Sequence, residues 1–249
     1  MKFGLIGYPL PHSLSPALFK AAYPDFAYDL IETPDFDEAL RRLRAGYDGV
    51  NVTAPFKELA FAAADEADTV TGAIGAANIL LNKGGKLSAF NSDFWAVLHI
   101  LRRYVIPRAG TKVLVLGCGG AGKAAAYAAS DMRLGVIVAN RSVEKAEEFC
   151  RRHGGMRAIP LDEAPEAARE CVFVVNTLPL PHPVLEPVSA SGARFLEAVY
   201  HNPPLASMVP ANRYCGGGEW LLLQALYGYP VMTGLQPDGE KLRSIVNQL

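Results

Sequence analysis

A short apolar run that leads straight into a glycine-rich turn restricts the fold of this chain more than any other feature. Residues 112–116 read Lys-Val-Leu-Val-Leu, and Gly117, Gly119 and Gly122 follow in a Gly-x-Gly-x-x-Gly spacing before an alanine-rich helical segment. Such glycines allow a tight turn and let a pyrophosphate approach the start of the helix, where free N–H groups and the helix dipole favour negative charge. The pattern predicts a strand, a phosphate-binding turn and a helix, with a purely structural glycine turn in another α/β protein as the alternative.

The next strand indicates which dinucleotide would bind. A second apolar run, residues 136–140, ends at Asn140, which lies 18 residues after the last glycine of the turn. An NAD site usually has Asp or Glu here for the ribose 2′-hydroxyl, whereas an arginine suits a 2′-phosphate. This chain continues with Arg141 and Ser142, and Lys145 follows one helical turn later. We therefore predict an NADP site.

Composition excludes several classes of protein. The chain has 249 residues, half of them apolar, which is enough for a sizeable core in one or two domains. Its net charge of −1 provides no general field for nucleic acid or an anionic membrane, so local groups must hold any anionic ligand. No apolar run reaches the ~18 residues of a transmembrane helix, and glycine and proline interrupt the N-terminal segment too early for a signal peptide. We expect no nucleic-acid or membrane partner.

The cysteines and histidines bear on the cellular setting and on metal binding. The four cysteines form no Cys-x-x-Cys pair and no framework of a small disulfide-rich domain. This usage favours free thiols in a reducing, cytoplasmic setting. The five histidines lack the spacing of metal ligands, so we expect no metal site.

Strands and helices alternate through the residues before the glycine-rich turn. Ser15-Pro16 is suited to capping a helix, Gly46 to ending one, and Lys83-Gly84-Gly85 to a hairpin turn. The predicted elements are strands 2–7, 28–32 and 49–52, helices 15–22, 36–44 and from Pro55 to about 65, hairpin strands 78–81 and 86–90, and a helix over 93–104. This order predicts a mainly parallel sheet with helices on both faces.

The alternation continues after the turn and ends in two successive helices. The predicted elements are strands 172–176 and 194–199, a surface loop over 179–187, and helices 143–153, 219–227 and 238–248. The predicted fold class is α/β, with a mainly parallel α/β substrate domain over residues 1–105 and a Rossmann-type, doubly wound NADP-binding domain over 106–218. We expect a cleft between the two domains, and we expect the C-terminal helices within 219–249 to fold back onto the first.

Four polar clusters lie at the ends of strands of the first domain, three of them after a strand and one at the opening of the fourth strand, and functional residues of open α/β sheets gather at one such edge. They are Ser13-x-Ser15, the segment from Asn51 to Lys57, the segment from Gly75 to Asn78, and Asn91-Ser92-Asp93. Each has a structural alternative, because Ser15 and Asp93 are suited to capping helices and Asn78 to a turn. Lys57 is the hardest to explain structurally, since the helix dipole disfavours a cation in the first turn.

Taken in order, these motifs resemble those of the shikimate dehydrogenase family over nearly the whole chain. The matching segments are Ser13-Leu-Ser15-Pro16, Asn51-Val-Thr-Ala-Pro-Phe-Lys57, Gly75-Ala-Ala-Asn78, Asn91-Ser92-Asp93, Gly117-Cys-Gly-Gly-Ala121 and Asn140-Arg141-Ser142. The resemblance implies an NADP-dependent oxidoreductase that reversibly reduces 3-dehydroshikimate to shikimate, a step towards chorismate and the aromatic amino acids.

The resemblance also implies roles for individual residues. Lys57 and Asp93 would flank the reacting oxygen as catalytic residues. The substrate would be bound by Ser13, Ser15 and Tyr200 at its carboxylate and by Thr53, Asn78 and Gln224 at its ring hydroxyls. NADP would be bound by Gly117, Cys118, Gly119, Gly120, Ala121, Asn140, Arg141, Ser142, Lys145 and Gly217, with Arg141 and Lys145 at the 2′-phosphate and Gly217 beside the nicotinamide.

Some positions differ from the family's usual residues and leave the exact substrate open. They are Ile79, Ser92, Ala96, Pro181, Glu197 and Trp220. The nearest alternative is a quinate/shikimate dehydrogenase with relaxed cofactor use, although Arg141 and Lys145 count against NAD. A folate-pathway dehydrogenase would leave Ser13-x-Ser15 without a role. A non-catalytic NADP or shikimate sensor would not need Lys57 and Asp93. We expect small-molecule partners only, and a monomer or a homodimer.

Overall fold

The structure, a computed structural model, describes residues Met1–Gln248 and divides the chain into two compact units. Unit 1 comprises Met1–Trp95 and the described residues from Leu222 onward, and unit 2 comprises Ala96–Leu221. Residue 249, the last position of the predicted C-terminal segment, lies outside the described residues. The second part of unit 1 contains most of the two C-terminal helices.

Unit 1 contains a six-stranded sheet. Its strands are β1 (Lys2–Gly7), β2 (Ala27–Glu32), β3 (Gly49–Val52), β4 (Glu66–Ala67), β5 (Ile79–Lys83) and β6 (Lys86–Phe90). Its helices are α1 (Ser15–Ala22), α2 (Phe36–Gly46), α3 (Lys57–Ala62), α4 (Thr69–Ile74), the start of α5 (Ser92–Tyr104), the end of α10 (Gly217–Thr233) and α11 (Gly239–Val246). In the order β2-β1-β3-β5-β6-β4, β5 is antiparallel to both neighbours and the other pairs are parallel. The sheet is mainly parallel, as predicted.

Two local sequence signals explain much of this unit. The apolar run of β1 is buried from Phe3 to Gly7, as expected for a strand covered on both faces. The β5–β6 hairpin turns at Gly84 and Gly85, whose φ angles of +62° and +88° suit a two-residue hairpin turn that few other residues adopt.

Two helix starts in unit 1 differ from the prediction. Ser15 does not cap α1, because Leu14 occupies the cap position and makes no side-chain capping bond. The α3 helix begins at Lys57 rather than at Pro55, since the N–H of Phe56 first bonds the Thr53 carbonyl (3.0 Å) in a separate turn. Lys57 is therefore the first residue of its helix.

Other boundaries in unit 1 also differ. The α2 helix runs through Gly46 instead of ending before it, and α3 ends at Ala62. Neither β4 nor α4 was predicted, because two and six residues are too few to show a period of hydrophobicity.

Unit 2 contains a second six-stranded sheet, in which every pair is parallel. Its strands are β7 (Lys112–Leu116), β8 (Gly135–Asn140), β9 (Met156–Pro160), β10 (Phe173–Asn176), β11 (Arg194–Glu197) and β12 (Tyr214–Cys215). Its remaining helices include α6 (Gly120–Asp131), α7 (Val143–Arg152), α8 (Ala164–Arg169) and α9 (Leu185–Ser189). The order β12-β11-β10-β7-β8-β9 reverses direction at β7. This is the predicted doubly wound, Rossmann-type arrangement.

The sequence does not predict several short elements of unit 2, because so few residues show no period of hydrophobicity. These are β9, α8, α9 and β12, each of six residues or fewer. The α9 helix starts inside the predicted loop 179–187 because Leu185 and Val188 are buried there. The α10 helix continues through Pro230 to Thr233, well beyond the predicted end at residue 227.

No helix among the described residues is long and apolar enough to cross a membrane. The same residues contain no group of three His, Cys, Asp or Glu side chains placed to hold a metal ion.

Candidate active site

A close ion pair in unit 1 joins the two residues predicted to be catalytic. Lys57 is the first residue of α3 and Asp93 the second of α5, and the Lys57 Nζ lies 2.6 Å from the Asp93 Oδ2. The side chains are only 15 % and 6 % exposed, so solvent screens the interaction weakly. A charge-assisted hydrogen bond of this length holds the ammonium in one position.

Hydrogen bonds tie the backbone around this pair together. The N–H of Ala77 donates to the Lys57 carbonyl (2.8 Å), and the amide nitrogen of Asn91 donates to the Ala76 carbonyl (2.7 Å). Asn91 also accepts from the N–H of Phe94 (3.2 Å), which makes Asn91 the cap of α5 rather than Asp93. Three of the predicted polar clusters therefore form one connected structure.

A buried serine connects two residues predicted to bind ring hydroxyls. Asn78 is 3 % exposed, its Oδ1 accepts from the Ser92 N–H (2.8 Å), and its Nδ2 donates to the Ser92 Oγ (3.0 Å). Ser92 Oγ also lies 3.5 Å from the Oε1 of Gln224, a residue of α10. These bonds fix the orientation of the Asn78 amide and bring Gln224 to the same place.

The other predicted substrate residues lie at the start of α1 and in segments that follow strands, in both units. Ser13 Oγ accepts from the backbone N–H of Ser15 (3.3 Å), which fixes the Ser13 hydroxyl at the start of α1. Thr53 is half-buried just after β3, with its N–H bonded to the Ile6 carbonyl (2.9 Å). Tyr200, by contrast, is half-buried in unit 2, in the segment that follows β11.

The glycine-rich turn of unit 2 has the geometry that the sequence predicts. Gly117 has a φ of +96°, and a Cβ on Gly122 would come 2.0 Å from the Gly117 carbonyl oxygen, so both positions require glycine. Gly119 caps α6, and a Cβ there would meet nothing within 4 Å. The cap position of α6 thus borders open space, and Gly120 and Ala121, the first two residues of the helix, are half-buried.

Asn140 links this turn to the residues predicted to bind the 2′-phosphate. Its Oδ1 accepts from the Cys118 N–H (3.0 Å) and its Nδ2 donates to the Ser142 carbonyl (2.9 Å). Arg141 is exposed, and Lys145, also exposed, has its N–H bonded to the Ser142 carbonyl (3.2 Å). Arg141 directly follows β8 and Lys145 lies in the first turn of α7, so both cations are close in sequence to the carboxyl end of β8.

Gly217 begins α10 and lies against the segment that follows β11. A Cβ on Gly217 would come 2.6 Å from the Val199 carbonyl oxygen and 2.8 Å from that of Ala198. Only glycine permits this close approach.

Two family models match the chain. The model described as shikimate dehydrogenase substrate binding domain matches residues 5–80, and the one described as shikimate / quinate 5-dehydrogenase matches residues 101–195. Together these ranges span more than half of the chain. The chain belongs to the shikimate dehydrogenase family.

Individual relatives agree with this assignment over more than nine-tenths of the chain. A curated shikimate dehydrogenase (NADP(+)) from Halothermothrix orenii is 32% identical over 266 residues, covering 94% of this chain and 91% of the relative. The crystal structure of shikimate 5-dehydrogenase from Thermus thermophilus in complex with shikimate superposes with a TM-score of 0.83 at 30% identity, covering 100% of this chain and 98% of that one.

One solved structure of different specificity has the same fold. A quinate dehydrogenase from Corynebacterium glutamicum in complex with NAD has a TM-score of 0.85 at 21% identity, covering 100% of this chain and 99% of that one. At this identity the likeness concerns the fold alone.

Asn51 is absent from the residues predicted to contact substrate, although it lies in the most specific motif of the shikimate dehydrogenase family. It is 7 % exposed, and its Oδ1 accepts from the Tyr28 hydroxyl (2.9 Å). Its Nδ2 has no hydrogen-bond partner among the described residues. A buried unpaired donor is costly unless a ligand or water satisfies it. The signal in the sequence is a polar residue inside a fully buried four-residue strand.

Glu197, where the shikimate dehydrogenase family usually has aspartate, forms a buried network in unit 2. It is fully buried at the end of β11. Its Oε1 accepts from Asn176 Nδ2 (3.0 Å), and its Oε2 accepts from the Leu205 N–H (3.2 Å) and the Tyr214 hydroxyl (2.9 Å). Burial raises the pKa of the Glu197 carboxyl, and the three hydrogen bonds oppose that shift. Burial, with the nearby Glu197, also raises the pKa of Tyr214.

Proposed function

We propose that this chain is an NADP-dependent shikimate dehydrogenase that catalyses the reversible reduction of 3-dehydroshikimate to shikimate. The observation that carries the proposal is the Lys57–Asp93 pair at 2.6 Å, set beside the connected amides of Asn78 and Gln224. A sensor that only binds ligand would gain nothing from a nearly buried ammonium–carboxylate pair, which is costly to desolvate.

The residues of unit 2 fit NADP. The open space at Gly119, which caps α6, suits a pyrophosphate at the helix N-terminus, and the positive φ of Gly117 makes the tight turn that leads to it. Arg141 and Lys145 follow Asn140, whose side chain bonds the turn at Cys118 and the backbone at Ser142, and they would supply positive charge for a 2′-phosphate. When bound, NADP(H) supplies or accepts the hydride.

Lys57 and Asp93 handle the proton and the developing charge. As the carbonyl becomes an alkoxide, the Lys57 ammonium donates a hydrogen bond to that oxygen and transfers a proton from Nζ to it. Asp93 accepts a hydrogen bond from the same Nζ and holds it in place. In the reverse direction Lys57 takes the proton back, with Asp93 fixing its position.

The two serines are proposed to bind the substrate carboxylate. Pro16 has no N–H and the N–H of Ser15 already bonds the Ser13 oxygen, so the first turn of α1 offers few free backbone donors. We therefore propose that the hydroxyl groups of Ser13 and Ser15 supply most of the hydrogen bonds to the carboxylate. Tyr200, in unit 2, is proposed to add a further contact.

The ring hydroxyls are proposed to contact the amides and hydroxyl of unit 1. Thr53, Asn78 and Gln224 are the predicted residues, and Asn51 joins them because its buried Nδ2 lacks a partner among the described residues. Ser92 touches both Asn78 and Gln224, so it orients them rather than binding substrate itself.

The deciding experiment compares the oxidation of shikimate and quinate with NADP and with NAD, side by side. We expect kcat/KM to be highest with shikimate and NADP. Faster oxidation of quinate, or equal use of NAD, would favour the quinate/shikimate dehydrogenase with relaxed cofactor use. Binding of shikimate and NADP without turnover would favour the sensor.

The cellular setting and the assembly are proposed separately from the reaction. We infer a cytoplasmic protein, and support comes from the four cysteines, which are all buried and unbridged. We infer a monomer or a homodimer, which sedimentation velocity distinguishes.

A further inference from the structure

The unit 2 sheet indicates where each half of a bound dinucleotide would lie. In a doubly wound sheet the ligand sits at the carboxyl ends of the strands and straddles the point where the strand order reverses. That point is β7, with β8 on one side and β10 followed by β11 on the other. Because Arg141 follows β8, the adenosine half belongs on the β8 side. The nicotinamide half then belongs over the ends of β10 and β11, where Glu197 lies.

The carboxylate of Glu197 closes the loop that follows β11. Its Oε2 accepts from the N–H of Leu205, eight residues further along the chain. The residues between them include Val199 and Tyr200, and the loop entrance is also fixed by the Ala198 N–H, which donates to the Asn176 carbonyl (2.9 Å). One buried side chain therefore joins both ends of this loop.

The same carboxylate anchors the loop to the strands on either side. Oε1 accepts from Asn176 at the end of β10, and Oε2 accepts from Tyr214 in β12. The loop backbone at Val199 in turn makes the close approach to Gly217. A shift of Glu197 would move the Val199 carbonyl and Gly217 together, because no space separates them.

We propose that Glu197 is a positioning residue for the nicotinamide half of NADP. It acts through the loop 198–204 and Gly217, without touching the cofactor. The inference rests on the proposed function for the identity of the cofactor. It predicts that Glu197 affects the nicotinamide end of the bound dinucleotide and leaves the adenosine end alone.

The test uses Glu197→Gln, which preserves shape but turns one acceptor oxygen into a donor. If the new amide nitrogen replaces Oε1, it faces the donor Asn176 Nδ2, and if it replaces Oε2, it faces the Leu205 N–H. In either orientation one hydrogen bond is lost. Calorimetry should show ~10-fold weaker binding of NADP and unchanged binding of adenosine 2′,5′-bisphosphate, which lacks the nicotinamide half. With saturating ligands, kcat should fall ~10-fold or more, because hydride transfer depends on alignment. Glu197→Asp, which remains an acceptor, should retain more NADP affinity than Glu197→Gln.

Val188→Ala is the matched control, since it truncates a buried side chain of α9 in the same unit. It should lower Tm but leave the NADP affinity and kcat unchanged.

Equal loss of affinity for NADP and for adenosine 2′,5′-bisphosphate in Glu197→Gln would overturn the proposal, as would unchanged binding of both. Should Glu197→Gln fail to fold, Tyr214→Phe removes one of the three donors, and a selective loss of NADP affinity is again required. Absence of turnover in the unmodified protein would count against the proposed function, while the binding comparison would still test Glu197.

Discussion

At the scale of single residues, the helix dipole has opposite effects on the charges of Lys57 and Asp93. Each lies in the first turn of a helix, where the dipole stabilises an anion and destabilises a cation. Asp93 is therefore well placed as a carboxylate, while Lys57 depends on Asp93 for its compensating interaction. A lysine held in this way is suited to meeting a new negative charge in the transition state.

Lys57→Ala should lower kcat by ~10²-fold or more and change the KM for shikimate little, because the ammonium acts mainly on the transition state. Steady-state kinetics with both ligands saturating measures this, and Lys20→Ala, an exposed lysine of α1, is the control. Asp93→Asn should also slow turnover, and the double variant should lose less than the sum of the two effects. A normal kcat in Lys57→Ala would remove Lys57 from the reaction.

Arg141→Ala should raise the KM for NADP ~10-fold or more and leave the KM for NAD nearly unchanged. The guanidinium would bind only the 2′-phosphate, which NAD lacks. Arg151→Ala changes another exposed arginine, at the far end of α7, and should affect neither constant. If Arg141→Ala impaired both cofactors equally, Arg141 would have no role in choosing between them.

At the scale of elements, two glycines at the start of α6 have different surroundings, so a side chain would have a different effect at each position. Gly122 faces the protein, where a Cβ would meet the Gly117 carbonyl at 2.0 Å and the Thr177 hydroxyl at 3.0 Å. Gly119 faces open space and has an ordinary φ of −82°. Packing within the unit requires glycine at Gly122, whereas nothing in the unit requires it at Gly119, where we propose that the pyrophosphate binds.

Two variants, Gly122→Ala and Gly119→Ala, should distinguish a glycine needed for stability from one needed for NADP binding. Gly122→Ala should lower the free energy of unfolding by about 1–3 kcal/mol, since backbone atoms must move to admit the methyl group. Gly119→Ala should preserve stability and weaken NADP binding, because its methyl group would occupy the space of the pyrophosphate. Urea unfolding and calorimetry measure the two quantities. Unaltered NADP affinity in Gly119→Ala would place the pyrophosphate elsewhere.

The elements themselves were predictable where their signals are local. The strand β1, the hairpin turn at Gly84 and Gly85 and the glycine turn before α6 all lie where the sequence predicts them, because each depends on a few adjacent residues. The predicted start of α3 and the predicted extent of α10 were wrong. A turn at Thr53–Phe56 delays α3, and α10 continues past Pro230, where Tyr229 and Met232 are buried, so tertiary packing overrides local preference. The boundary between domains and the cleft between them stay predictions.

At the scale of the whole molecule, the protonation of Glu197 makes the free energy of unfolding depend on pH. Its pKa is raised by burial in the folded protein above the ordinary value of 4.5. A carboxyl with a raised folded pKa binds its proton more tightly in the folded state than in the unfolded one. The stability that it contributes is therefore fully present below the unfolded pKa and is lost as the pH rises through the folded pKa.

The free energy of unfolding of the unmodified protein, relative to that of Glu197→Gln, should therefore decrease as the pH rises from about 4.5. It should level off once the pH exceeds the folded pKa. Chemical unfolding of both proteins across this range measures the difference, and the subtraction removes the other titrating groups. A difference that grows with pH would mean that the three hydrogen bonds outweigh burial.

Patterns along the chain were enough to establish the α/β class, the doubly wound second unit, the family and most of the individual candidate residues. They were enough because apolar runs, glycine turns and ordered motifs are properties of neighbouring positions. Which polar side chains meet became known only from the folded chain: Lys57 with Asp93, Ser92 with Gln224 across 132 positions, and Glu197 with three donors from separate segments. Such partners are chosen by packing, since a buried polar group must find its hydrogen bonds wherever the folded chain brings a donor or an acceptor.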